Sequence, residues 1–373
     1  MRDNARMTGG GGNAHADYLE RKYFGELDGL RALAIAMVVW NHAGAGAYKF
    51  GWGIGVKLFF TISGFLITTL LLRERDKIGT ISLRNFYVRR VLRIFPLYFL
   101  VLGIYVVLVR FAERDPAATT QFFANLPYFL SFTANWFVNF DGGRVIFYFA
   151  WSLSAQEQFY LAWPSVVHFA RPWWLTVALM AAMLSVAALV HSAVAAGRLD
   201  ESVLPVRILA RVDPTLGFGF LAAYLLHRPE GFRAALHVVD RAWSAPLAVA
   251  MLLLQVLVPT TPDLVPRVAT LVLVMVCVVR PQNVLAPVLA NRLLRHVGSI
   301  SYGIYLLHML HVNVARRIVP GGSRLAVFTL AFPATVLVAS VSFRYFEQPI
   351  MNLRRYFIRT RMDVGSQPAL PTP

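Results

Sequence analysis

The chain is poor in charge, poor in acid and nearly without cysteine. Of its 373 residues only 15% are charged and 57% are hydrophobic, with a mean hydropathy of +0.56. A soluble domain carries about 25% charged residues, so a water-soluble globule is excluded. The one cysteine, Cys277, sits in an apolar run, which excludes a disulfide framework and a thiolate metal cluster. Strict alternation of apolar and polar residues is missing, which excludes a β-barrel. No internal repeat and no cleavable signal peptide are evident. Acid is scarce, with 19 Asp and Glu against 36 Lys and Arg, for a net charge of +17. That excess does not indicate a nucleic-acid partner. The basic residues cluster in short segments between apolar runs, which is the positive-inside pattern, with anionic lipid as counter-charge.

What is present is a series of apolar runs of about membrane length. The expected fold is all-α, a polytopic helical membrane protein with about ten transmembrane helices. The spans fall near 29–46, 52–72, 94–112, 146–169, 172–196, 207–227, 243–259, 266–280, 298–318 and 325–345. Segment 122–140 is apolar and aromatic but short and holds Asn125, Pro127, Asn135 and Asn139. The basic connections 73–93, 228–241 and 280–295 and the basic tail after 345 share one side of the membrane only if 122–140 does not cross. Both termini are then cytoplasmic, in an inner (cytoplasmic) membrane. Residues 1–22 are expected to be a disordered cytoplasmic arm, 23–350 the membrane domain, and 351–373 a basic and then disordered tail.

Ionisable residues in membrane spans are costly and mark function. The first span carries Arg31 and His42, eleven residues apart, with Asn41 beside the histidine. On a helix that spacing is about 20° of rotation and ~16 Å of rise, so the two share one face near opposite ends. The loop charges put Arg31 toward the cytoplasm and His42 toward the outer surface. An imidazole near neutrality suits a general base.

The second span carries Ser63 and Gly64, small residues that also permit close helix approach. Arg89, Arg90 and Arg93 stand where the third span begins. They are either a positive-inside anchor or, with Arg90 and Arg93 spaced i, i+3, a site for a phosphorylated cytosolic ligand. Trp151, Ser152, Ser154, Gln156, Glu157 and Tyr160 form a polar run in an apolar segment, which must face a cavity or one another. Glu157 is its only carboxylate; it could orient an imidazole or pair with an arginine. His308 and His311 are spaced i, i+3, but no third ligand of the right reach accompanies them, so no metal is expected.

In order along the chain these segments resemble the bacterial membrane-bound acyltransferase 3 family, the O-antigen O-acetylase type. The resemblance runs from Asp28 to Pro349. It rests on Arg31 with His42, the phenylalanines before Ser63-Gly64-Phe65, Arg89-Arg90 with Arg93 and Pro96, and Trp151 to Tyr160. Ser301-Tyr302 with Tyr305 and His308, and Phe346-Glu347-Gln348-Pro349, complete it. It implies O-acyl transfer from acyl-CoA, acetyl-CoA in the common case, to a hydroxyl of a cell-envelope or exported carbohydrate, with acyl-CoA a substrate rather than a bound cofactor. By the same resemblance His42 is the essential catalytic residue, Arg31 its paired arginine, and Arg90 and Arg93 the residues that meet CoA. The family has a glutamate where this chain has Gln156, and this chain keeps only Glu157. Many members carry an appended extracellular esterase-like domain, which these residues do not include. Alternatives are acylation of a small secondary metabolite or lipid-linked oligosaccharide, or a transporter of a lipid-linked sugar.

Overall fold

A computed structural model describes residues 11–44, 53–140, 144–170, 172–258 and 260–357. Residues 1–10, Gly46 and the tail beyond 357 lie outside the described residues. Every regular element among those described is helical: α1 (Gly11–Glu20), α2 (Gly25–Ala43), α3 (Ile54–Ile78), α4 (Leu83–Ala112), α5 (Pro116–Leu130), α6 (Ala134–Phe137), α7 (Ala150–Phe169), α8 (Trp173–Ala195), α9 (Leu204–Ala210) and α10 (Thr215–His227). There follow α11 (Pro229–Val239), α12 (Ser244–Leu257), α13 (Leu264–Val279), α14 (Ala286–Leu289), α15 (Arg292–Ser299), α16 (Ser301–Ile318) and α17 (Arg324–Ser342). A π-helical turn at Phe343–Glu347 leads into α18 (Gln348–Asn352) and α19 (Arg354–Phe357).

By length and composition, α3, α4, α8 and the helical run Arg324–Phe357 can each cross a membrane. The bent pairs α9–α10 (57°) and α11–α12 (72°) raise that number to six if each is one span. The expected ten go beyond what helix length supports. The difference lies in helices such as α2, α7 and α16, whose apolar character is diluted by Glu26, Asp28, Arg31, Gln156, Glu157 and the histidines, and in α13, which has only 16 residues. Region 122–140 is split between α5 and the short turn α6. The expected span 207–227 is broken at 211–214, where Pro214 starts a new helix.

Two further boundaries differ from expectation. The predicted disordered arm is helical over residues 11–20. His15 and Tyr18 are buried, their rings 5.0 and 5.5 Å from that of Phe232, and Arg73 donates to the carbonyls of Tyr18 and Arg21. Those tertiary contacts override a glycine-rich local sequence. The basic connection 73–93 shrinks to four residues, 79–82. Arg, Lys and Glu are good helix formers, so α3 runs on until Gly79. There φ is +74° and the Gly79 N–H closes on the Arg75 carbonyl. Ser82 then caps α4, accepting from the Asn85 N–H.

α3 packs most extensively on α10, and α2 is held by α3, α15, α16 and α17. The α3–α10 crossing is set by two glycines. A Cβ at Gly64 would lie 2.1 Å from the Leu216 carbonyl oxygen, and one at Gly219 would lie 2.1 Å from that of Thr61. Both contacts are with backbone, which cannot step aside. Gly64→Val should therefore separate the helices and cost about 1–3 kcal/mol or more. The expected readout is a lower apparent Tm in detergent; an unchanged Tm would mean the crossing is not as tight as described.

α8 is different in kind. Its hydropathy is high, and little of it is covered by the rest of the protein, with Leu179 and Leu189 exposed. A helix apolar all round with few protein neighbours is one whose surroundings are lipid.

Candidate functional site

The first element of the site is a turn under strain. Phe147 has φ +64°, a left-handed conformation that bulky residues avoid. It is held there by burial among the rings of Tyr98, Tyr105, Phe129 and Phe149. The turn starts α7 and delivers two rings to the centre. Tyr148 packs edge-on to His42 at 5.4 Å, and Phe149 lies 5.3 Å from His308.

His42 ends α2, and His308 sits mid-way along α16. His42 Nδ1 and His308 Nε2 are 3.0 Å apart. His308 Nδ1 lies 2.5 Å from the Tyr305 carbonyl oxygen. That oxygen can only accept, so His308 Nδ1 carries its proton and, in the neutral ring, His308 Nε2 presents a lone pair. The proton between the two rings then belongs to His42 Nδ1. By elimination the lone pair of a neutral His42 is on Nε2. Among the described residues no hydrogen bond occupies that nitrogen. Arg316 fixes the backbone here, donating from Nη2 to the carbonyls of His42 (2.7 Å) and Gly44 (2.9 Å). It is a cation at the C-terminus of α2, where the helix dipole favours one.

A cavity of about 180 Å³ opens between α2, α3, α4, α7 and α16. Arg31, Arg90, Arg93, Ser63, Gln156, Glu157 and Tyr160 all line it. Adjacent helical residues point about 100° apart, which separates Arg90 from Arg89. Arg90 lies over the Tyr160 ring at 3.4 Å and faces Glu157 at 3.9 Å, whereas Arg89 pairs with Glu74 at 3.3 Å outside the cavity. Gln156 donates to Ser63 Oγ (2.9 Å) and to the Tyr160 hydroxyl. Arg31 faces Asp28 at 3.5 Å, and Asp28 also accepts from the Tyr23 hydroxyl.

Glu157 thus sits with Arg90, and the direct partner of His42 is an imidazole. Arg31 and His42 lie apart on α2: Arg31 lines the cavity, while His42 lies beyond it. Trp151 packs against Phe60. Ser154 is buried, and its hydroxyl has no hydrogen-bond partner among the described residues; the same holds for Asn41 Oδ1. His311 turns to the Leu307 carbonyl, away from the His42–His308 pair. Among the described residues no three His, Cys, Asp or Glu side chains are grouped as metal ligands would be.

Four contributors are not among the candidate site residues read from sequence. Tyr148 and Arg316 reach His42 from 106 and 274 residues away. Tyr305 supplies the carbonyl behind His308. Glu347 is buried in the π-helical turn, accepts from Ser342 Oγ and lies within electrostatic reach of Arg93. The signal for Glu347 was its place in Phe-Glu-Gln-Pro; π-turns concentrate at functional sites.

Among the described residues, then, a helical bundle with membrane-length apolar helices holds an arginine-lined cavity beside a hydrogen-bonded imidazole pair. The comparison with known families is specific. The model of the acyltransferase 3 family, described as an acyltransferase domain, matches residues 24–344, and the chain belongs to that family. The peptidoglycan O-acetyltransferase OatA of Listeria monocytogenes is 28% identical over 362 residues, 88% of this chain and 56% of that protein. A Bacillus subtilis protein, YrhL, provisionally named a peptidoglycan O-acetyltransferase, is 26% identical over 363 residues, 88% of this chain and 55% of its own length. A Staphylococcus aureus protein, provisionally named an O-acetyltransferase, is 27% identical over 364 residues, 89% of this chain and 58% of its own. The chain therefore spans a little over half the length of these relatives. No solved structure matches it.

Proposed function

We propose that this chain is an integral-membrane O-acyltransferase that moves an acyl group, acetyl in the first instance, from acyl-CoA to a hydroxyl of an envelope carbohydrate. Peptidoglycan is the acceptor class that the names of its relatives point to. The observation that carries the reading is the hydrogen-bond chain from the Tyr305 carbonyl through His308 to His42, next to a cavity lined by three arginines.

In this reading the donor enters from the cytoplasmic side, to which the basic connections assign the arginine end. Arg31, Arg90 and Arg93 meet its phosphates, and Glu157 holds Arg90 in place. The acceptor hydroxyl gives its proton to His42 Nε2 as its oxygen attacks the thioester carbonyl. The new C–O bond forms, the C–S bond breaks, and the proton passes to the departing thiolate, leaving an ester and free CoA. Capture of the acyl group by His42 would use the same nitrogen. A thioester is already activated, so positioning and one base suffice.

The donor assignment is tested by comparing acetyl-CoA with acetyl-pantetheine, which lacks the nucleotide phosphates. Arg90→Ala should raise KM for acetyl-CoA by about 10- to 100-fold, the loss of one or two charge-assisted phosphate contacts. It should leave kinetics with acetyl-pantetheine close to wild type. An equal effect on both donors would remove the arginines from phosphate recognition.

A further inference from the structure

A pair of hydroxyls lines the cavity on the side of the imidazole pair. α7 runs parallel to α3 along it: Gln156 meets Ser63, and Trp151 meets Phe60 further out. The cavity lining on α3 extends from Leu70 to Val56, ~21 Å by helix rise. Arg90 and Tyr160 lie toward one end, and Ser152 and Tyr305 toward the other. There Ser152 Oγ and the Tyr305 hydroxyl are 2.5 Å apart, and both reach the Phe149 carbonyl at 3.1 Å. Both side chains are buried and both face the cavity. His308 lies one helical turn beyond Tyr305, its ring 5.6 Å from the tyrosine ring, and His42 lies behind His308. One layer of side chains, latched by two hydroxyls, therefore separates the arginine-lined cavity from the imidazole pair.

We propose that this Tyr305–Ser152 latch is the constriction through which the acyl group reaches His42, and that Tyr305 thereby sets the length of acyl chain transferred. The inference rests on the acyl-CoA reading above. It goes beyond that reading in naming the residue that discriminates among donors. A packed wall resists each added methylene, because extra volume forces neighbouring side chains off their rotamers. The latch also rules out a passive gap: both hydroxyls must exchange partners for the ring to swing.

The test measures kcat/KM for acetyl-, butyryl- and hexanoyl-CoA with the full chain in native membrane vesicles. Wild type should fall steeply with chain length. Tyr305→Leu, which removes the ring and the latch, should raise the butyryl-to-acetyl ratio by at least ~10-fold, the scale on which a pocket resolves one or two methylenes. Tyr305→Phe, which keeps the ring, should stay near the wild-type ratio and raise acceptor-independent hydrolysis of acetyl-CoA as the latch is lost. An unchanged ratio in a Tyr305→Leu protein that still transfers acetyl would overturn the proposal. Should Tyr305→Leu not reach the membrane, Tyr305→Met, which also removes the ring but keeps more of its bulk, decides in its place: a raised ratio supports the constriction and an unmoved one overturns it. Wild-type protein that transfers from no acyl-CoA would overturn the donor reading as well. Transfer with an unmoved preference overturns the constriction alone.

Discussion

His42→Ala should lower acyl transfer by about 10²–10⁴-fold, the usual worth of a positioned general acid–base group, while the protein inserts and binds donor normally. The separation of functions follows from the geometry. His42 is outside the arginine-lined cavity, so its loss should fall on kcat and leave KM for acetyl-CoA nearly unchanged. Its backbone is anchored independently by Arg316, which donates to carbonyls rather than to the ring, so the alanine variant keeps the end of α2 in place. His42→Gln should be as inactive, because its amide offers no comparable base at neutral pH. A variant at either position that retained the wild-type rate would remove His42 from the chemistry.

The second large effect is expected at a residue that need not touch substrate. His308 accepts the proton on His42 Nδ1 and so keeps the lone pair on Nε2. Without it, His42 can take the other tautomer and turn its ring. His308→Ala should cost at least ~10² in kcat, approaching the ~10⁴-fold penalty seen when a catalytic histidine loses the partner that sets its tautomer. His308→Gln separates positioning from packing. Its side-chain oxygen can still accept from Nδ1, so it should recover a substantial part of the rate, whereas His308→Leu, of similar bulk, should not. The kcat–pH profile adds a readout that simple destabilisation would not move. Its lower limb reports the base in the bound state and should shift in His308→Gln, because a neutral amide replaces a titratable ring. Equal losses in His308→Gln and His308→Leu, with unshifted profiles, would make His308 a packing residue only.

Much of this arrangement could be read in the chain before any coordinates. Helical spacing put Arg90 and Arg93 on one face, and the polar run from Trp151 to Tyr160 called for a cavity; Arg90, Arg93, Gln156, Glu157 and Tyr160 do share one. Arg89 was grouped with them, and the partner that holds it outside the cavity, Glu74, lies on another helix. The Arg31–His42 spacing correctly implied two groups too far apart to touch along a straight helix. What local pattern could not supply was the partner of His42. That contact spans 266 residues, and His308 stood in sequence beside His311, a pairing that the structure dissolves. The wall formed by Tyr305 and Ser152 was hidden for the same reason: each reads as an ordinary polar residue until α7 and α16 meet. The count of ten spans rested on apolar runs and loop charge, whereas helix length and composition by themselves support four to six among the described residues. Charged and polar residues in the functional helices lower the apparent membrane character of the segments that carry the site. In the N-terminal arm, residues 11–20 are helical, with Tyr18 and His15 finding partners more than fifty residues away that no local pattern could supply.

With His42 as the group that enables acyl transfer from a thioester donor to a carbohydrate hydroxyl, ester formation and release of CoA must both depend on it. The most direct measurement follows both products in one vessel. Purified protein in vesicles receives acetyl-CoA labelled in the acetyl group together with a muropeptide acceptor, and free CoA and base-labile label on the glycan are counted with time. The account predicts one ester formed for each CoA released with wild-type protein, and neither product above background with His42→Ala. Equal ester formation by the two proteins, or no label on the glycan with active wild-type protein, would contradict it.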